Sequence, residues 1–70
     1  MFLFELIELE KDLAHLIKEI DEAIAMMQKA QACGVGDYTE ELERAYLDRG
    51  QAVDHLNDVY RKMKKFILGE

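Results

Sequence analysis

Cys33-Gly34-Val35-Gly36-Asp37-Tyr38-Thr39-Glu40 is the stretch whose reading decides the fold. Long helical patterning lies on both sides of it, with no proline anywhere in the chain. Read as helix throughout, the chain would be one rod; read as a stop followed by a start, it is a hairpin. The residues favour the hairpin. Gly34 takes the left-handed conformation that ends a helix without steric cost, and Val35 stands where the apolar contact behind such an end belongs. Asp37 is a good N-cap, and Glu40 follows three residues later, as a capping box requires. Thr39 is an alternative cap. Glu40, Glu41 and Glu43 suit the positive end of a helix dipole.

Upstream, Leu6, Leu9, Leu13, Leu16, Ile20, Ala23, Met27 and Ala30 alternate at spacings of three and four. These are a and d positions of a heptad pattern, and Leu3, Ile17 and Ile24 widen the stripe along the adjoining e row. Downstream, Leu42, Ala45, Tyr46, Ala52, Val53, Leu56, Val59, Tyr60, Met63, Phe66 and Ile67 again track a, d and e positions. Arg49 interrupts that pattern at an a position, and Gly50 beside it costs about 1 kcal/mol relative to alanine inside a helix. An arginine in an apolar seam needs a carboxylate, and Glu19, Asp21 and Glu22 are at the right height; otherwise it reaches out to water. Arg49 is then a polar pin for register or partner choice, and Gly50 a point of close approach, a bend or a tolerated glycine.

The expected fold is all-α: an antiparallel two-helix hairpin in a single domain over 1–70, with helix over 3–33, a turn over 34–37 and helix over 38–68. Each helix would run about 45 Å at ~1.5 Å per residue. A turn this short pairs positions whose numbers sum to about 71. That sets Lys62 near Leu9 and Glu10, and Lys65 near Glu5 and Glu8, so the basic tail lies beside the acidic start.

Seventy residues make a thin core, and small folds usually need disulfides, a metal or oligomerisation. Cys33 is the single cysteine, so no internal disulfide forms, and one thiol fits a reducing compartment. The apolar stripe is wider than one neighbouring helix covers. The expectation is a homodimer or small homo-oligomer that completes a four-helix bundle, or a hairpin packed on another protein. The interface residues expected along the seam are Leu6, Leu9, Leu13, Leu16, Ile17, Ile20, Ile24, Met27, Leu42, Tyr46, Arg49, Val53, Leu56, Tyr60, Met63 and Ile67. Phe2, Phe4, Ile7, Phe66 and Leu68 gather at the open end, as a bundle cap or a docking patch.

Net charge is −6, which disfavours direct binding to a phosphate backbone. The greasy start, Met1 to Glu8, lacks a basic segment and is broken by Glu5 and Glu8. It reads as neither signal peptide nor membrane span, so the expected location is the cytoplasm of a bacterium or of an infected host cell. His15 and His55 come to similar heights but at c and g positions, away from a bundle core, so no metal or other cofactor is expected. No catalytic residues are expected either: Cys33 has no histidine near it in sequence, and there is no Gly-rich phosphate loop, triad or zinc spacing.

Gln51-Ala52-Val53-Asp54-His55-Leu56-Asn57-Asp58-Val59-Tyr60 resembles the signature helix of the small hairpin phosphatases that act on the sporulation response regulator. That family carries a Ser-Gln-Glu-Leu-Asp run. Here Gly50 stands for the serine and Ala52-Val53 for Glu-Leu; only Gln51 and Asp54 match, so the activity does not carry over. In length and acidity the hairpin is also similar to co-chaperones of type III secretion needle subunits and to small plasmid and phage regulators. The expected function is a non-enzymatic, self-associating interaction module that docks on another protein as regulator, inhibitor or co-chaperone. The alternatives are an acidic nucleic-acid mimic of the phage type, and a needle co-chaperone-like hairpin.

Overall fold

A computed structural model describes residues 2–69; Met1 and Glu70 of the charge and hydropathy pattern lie outside them. Two helices, α1 (Leu3–Ala32) and α2 (Thr39–Leu68), pack against each other in a hairpin of 54 × 15 × 15 Å. Among the described residues there is no strand, and no helix is long and apolar enough to cross a membrane.

The turn closes as its glycine implies. Gly34 sits at φ 75°. Its N–H donates to the Gln31 carbonyl at 3.1 Å, and the Val35 N–H donates to the Ala30 carbonyl at 3.0 Å. These two bonds satisfy carbonyls that the end of α1 would otherwise leave open. Val35 is 72% exposed, so the apolar contact expected behind the turn is slight. Tyr38 does the covering instead. Its N–H donates to Gln31 Oε1 at 3.1 Å, and its ring lies against Gly36, 3.4 Å from where a Cβ would stand.

The N-cap position of α2 falls on Tyr38, which makes no side-chain cap bond, and not on Asp37 as expected; Asp37 braces the entry from one residue before it. Its carboxylate accepts the Thr39 hydroxyl at 2.6 Å and the Thr39 N–H at 3.1 Å. Thr39 is therefore the first helical residue, not the cap, and Glu40 makes no return bond among the described residues. The helix begins one residue later than expected, within the usual latitude of helix ends. The Thr39 hydroxyl, and then its N–H, hold the Asp37 carboxyl below the usual carboxylate range. Because the folded pKa is the lower one, this contribution is present above the unfolded value and is lost as pH falls through the folded one. Asp37→Ala should lower the melting temperature at neutral pH, and the gap to wild type should close below about pH 4, where an ordinary aspartate protonates. Thermal melts across an acid series check this; a gap that persists undiminished would mean the charge plays no part at the entry to α2.

The seam between the helices runs through Leu3, Leu6, Glu10, Leu13, Ile17, Ile20, Ile24 and Met27 of α1. From α2 it takes Leu42, Ala45, Arg49, Ala52, Leu56, Val59 and Met63. All are buried or half-buried. On α2 these are the expected a and d rows. On α1 they are the a and e rows, whereas Leu16 and Ala23 of the expected d row are exposed. The reason is helical pitch: a straight helix of ~3.6 residues per turn drifts off a strict heptad repeat. Leu6 and Ile24 lie five full turns apart and face the same way, and both are buried.

Packing is densest towards the open end. Leu6 and Val59, each 1% exposed, form a core cluster with Leu13, and Leu9, Leu56 and Met63 pack against it. Towards the loop the seam thins to Ala45 and Ala52. Gly50 is exposed, and a Cβ built on it would meet nothing within 4 Å. The close approach considered for this residue is not present within the hairpin. Gly50→Ala should therefore stabilise the chain by about 0.5–1 kcal/mol, raising Tm by roughly 3–8 °C. Circular dichroism melts test this; a fall in Tm would mean that something covers the Gly50 backbone in solution.

Candidate functional site

Among the described residues, three side-chain bonds tie α1 to α2, and all lie on one flank of the hairpin. The Tyr60 hydroxyl donates to Glu10 Oε1 at 3.2 Å, Arg49 Nε to Asp21 Oδ1 at 2.6 Å, and Gln28 Nε2 to the Tyr46 hydroxyl at 2.6 Å. These pairs establish the antiparallel order; Glu10–Tyr60 and Asp21–Arg49 lie within one residue of the expected register, and Gln28–Tyr46, nearer the loop, lies three residues from it. The same flank carries the e row of α2: Tyr46 (51% exposed), half-buried Val53, Tyr60 (47%) and Ile67 (71%). Ile7 and Ile17 of α1 are half-buried, and their heptad positions, b and e, set them beside that row. The result is an apolar strip along the hairpin, the tyrosine face.

The opposite flank is different. Leu13, Leu16, Ile20 and Ala52 floor a shallow depression whose rim is Asp48, Gln51 and His55. Leu16 is 44% exposed there. Of the expected interface residues, Leu6, Leu13 and Ile24 are buried. Leu9, Ile17, Ile20, Met27, Leu42, Arg49, Val53, Leu56 and Met63 are half-buried, and Leu16, Tyr46, Tyr60 and Ile67 face solvent on the two flanks. At the open end, Phe2, Phe4, Phe66 and Leu68 are exposed and Ile7 is half-buried.

Arg49 combines both readings of its position. It pairs with Asp21, one of the three carboxylates at its height, yet both side chains stay nearly half exposed. Such a pair contributes about 0–1 kcal/mol. Among the described residues no charged side chain is buried and no buried side-chain polar atom lacks a partner. Lys62 bonds Asp58 on its own helix at 3.2 Å rather than the acidic start of α1. It is Tyr60 that meets Glu10, and that bond, helped by burial and by the carboxylate charge, raises the phenol's pKa. Glu10 was not legible as a seam residue, because a lone carboxylate between apolar rows ordinarily marks the solvent side.

His15 pairs with Glu19 at 2.9 Å on the exposed surface of α1, and His55 sits on the rim of the depression. Among the described residues no group of three or more His, Cys, Asp or Glu side chains converges on a point. Cys33 is exposed at the loop end. No protein-family model matches the chain, and neither a curated protein nor a solved structure matches it.

Proposed function

We propose that the hairpin is a non-catalytic interaction module that self-associates into a four-helix bundle and docks on another protein as a regulator, inhibitor or co-chaperone. The observation that carries this reading is uncovered apolar surface. The chain exposes 5457 Å², whereas a compact fold of 8.1 kDa exposes about 4,500 Å². The surplus, roughly 1,000 Å² of polar and apolar surface together, comes with the elongated 54 × 15 × 15 Å shape and is of the size that one partner contributes to a standard interface, ~800 Å². Of the exposed large apolar side chains, Tyr46, Tyr60 and Ile67 line the tyrosine face and Phe2, Phe4, Phe66 and Leu68 gather at the open end, while Leu16, Met26, Val35 and Leu47 stand elsewhere.

The acidic surface supports a second reading, a decoy for a basic nucleic-acid-binding groove, since none of the carboxylates among the described residues is fully buried. Sedimentation at low and high micromolar concentration tests self-association, and a strict monomer throughout would sink it. Capture of a partner from native lysate at low and high salt separates the two readings. Docking through apolar rows survives high salt and is lost in Val53→Lys. Capture by the decoy is salt-sensitive and indifferent to Val53.

A further inference from the structure

We propose that the tyrosine face is covered by a second copy of the chain, docked antiparallel about a two-fold axis near Val53. The loop end of each hairpin then lies on the open end of the other. This deepens the self-association reading and rests on it.

Three features select the face and the orientation. The polar groups that cross the face are already paired within the chain: Tyr60 with Glu10, Arg49 with Asp21, Tyr46 with Gln28. Covering paired groups costs less than stripping water from unpaired ones. On the opposite flank, Asp48, Gln51 and His55 are exposed around Leu16 and would lose their water. A whole face of the hairpin, 54 Å long and 15 Å wide, is the size of the ~800 Å² per partner of a stable interface, so the contact has to run the full length of the face.

Orientation follows from level and charge. With Glu10 opposite Tyr60 and Asp21 opposite Arg49, Val53 and Ile17 lie at mid-height. A central two-fold axis brings Tyr46 level with Tyr60 of the partner subunit, and Val53 level with its own copy. Aromatic rings at one level stack or meet edge to face, and the axis is filled by aliphatic groups. On the rim of the same face, the heptad pattern puts Glu43 towards the loop end and Lys11 and Lys64 towards the open end. Antiparallel docking sets Glu43 against the lysine end of the partner, whereas parallel docking holds both copies of Glu43 at one level and both copies of Lys64 at another.

Cys33 supplies the test, since it is exposed at the end of α1 and its heptad position, g, sets it on the flank away from the tyrosine face. A nitroxide on Cys33 of the full chain, read by pulsed electron paramagnetic resonance, should report two labels roughly 45 Å apart, the length of a helix of this size. Parallel hairpins would hold the labels within about 20 Å, since packed helices lie ~10 Å apart. In parallel, Val53→Lys should weaken the dimer at least about tenfold by placing a charge at its centre, and Ile67→Lys, at the end of the contact about 21 Å away along α2, should weaken it by a smaller factor. Leu16→Lys should leave it within about twofold. Ile67 is already exposed in the hairpin, so its variant keeps the fold, and circular dichroism verifies that. A short label distance, or a dimer broken by Leu16→Lys and not by Ile67→Lys, overturns the inference while self-association stands. Absence of any dimer overturns both.

Discussion

Leu6→Ala should bring the chain to the edge of unfolding, with Tm lowered by more than about 10 °C. Leu6 is 1% exposed and sits at the centre of the cluster it forms with Leu13 and Val59. Emptying such a site removes the transfer free energy of the lost methylenes and leaves a cavity, about 2–5 kcal/mol for a leucine. A core of this size rarely supplies more than ~3–5 kcal/mol in total, so the loss is comparable with the whole. Val59→Ala deletes less and should cost about 2 kcal/mol, at ~0.8 kcal/mol per methylene plus the cavity. Leu47→Ala is the matched control, because Leu47 is a leucine that faces solvent on α2; it should fall within about 0.5 kcal/mol of wild type. The comparison is made by circular dichroism melts at one fixed protein concentration, since self-association moves Tm by mass action. Equal effects at Leu6 and Leu47 would show that the hairpin seam is not what holds the fold.

The contrast between Leu6 and Leu47 shows what the sequence discloses by itself. The turn was legible because its chemistry is local: only a glycine such as Gly34 suits the left-handed end, and an aspartate such as Asp37 suits the start. The rows of α2 were legible because Leu42, Leu56, Val59 and Met63 leave one choice of face. The contact row of α1 was not, because three apolar rows stand side by side there. Leu6, Leu13, Ile20 and Met27 are flanked by Leu9 and Leu16 on one side and by Ile17 and Ile24 on the other. Periodicity gives the centre of such a stripe but not which flank meets the neighbour; the pitch of a straight helix decides that. The tyrosine face was hidden for the same reason. Tyr46, Val53, Tyr60 and Ile67 read as a widened seam, and only the bonds to Glu10 and Gln28 reveal that two of them sit outside it, on a common flank.

Arg49→Leu should raise Tm by about 4–8 °C while broadening the range of assemblies. Arg49 occupies an a position between Leu42 and Leu56, and its side chain is 43% exposed as it reaches Asp21. A leucine there would bury further apolar area, worth about 1–2 kcal/mol. The ion pair it forfeits is worth about 0–1 kcal/mol, because both members are open to water. In the free hairpin Asp21 keeps its solvent and is not stranded by the change; in the covered dimer it loses its partner, so the penalty falls on assembly and not on the hairpin. The net gain of roughly 1 kcal/mol gives the stated shift for a domain of this length. The effect on assembly runs the other way. In Arg49→Leu the a row is apolar from Leu42 to Met63, and neighbouring registers differ less in energy; one polar residue in such a row is what excludes them in coiled coils. Light scattering should then report a mixture where the wild type gives one species. Asp21→Asn separates the two roles, for it removes the charge pair without adding apolar area. It should loosen assembly with no gain in Tm if the pair sets the register, and an assembly state unchanged in both variants would remove Arg49 from any part in specificity.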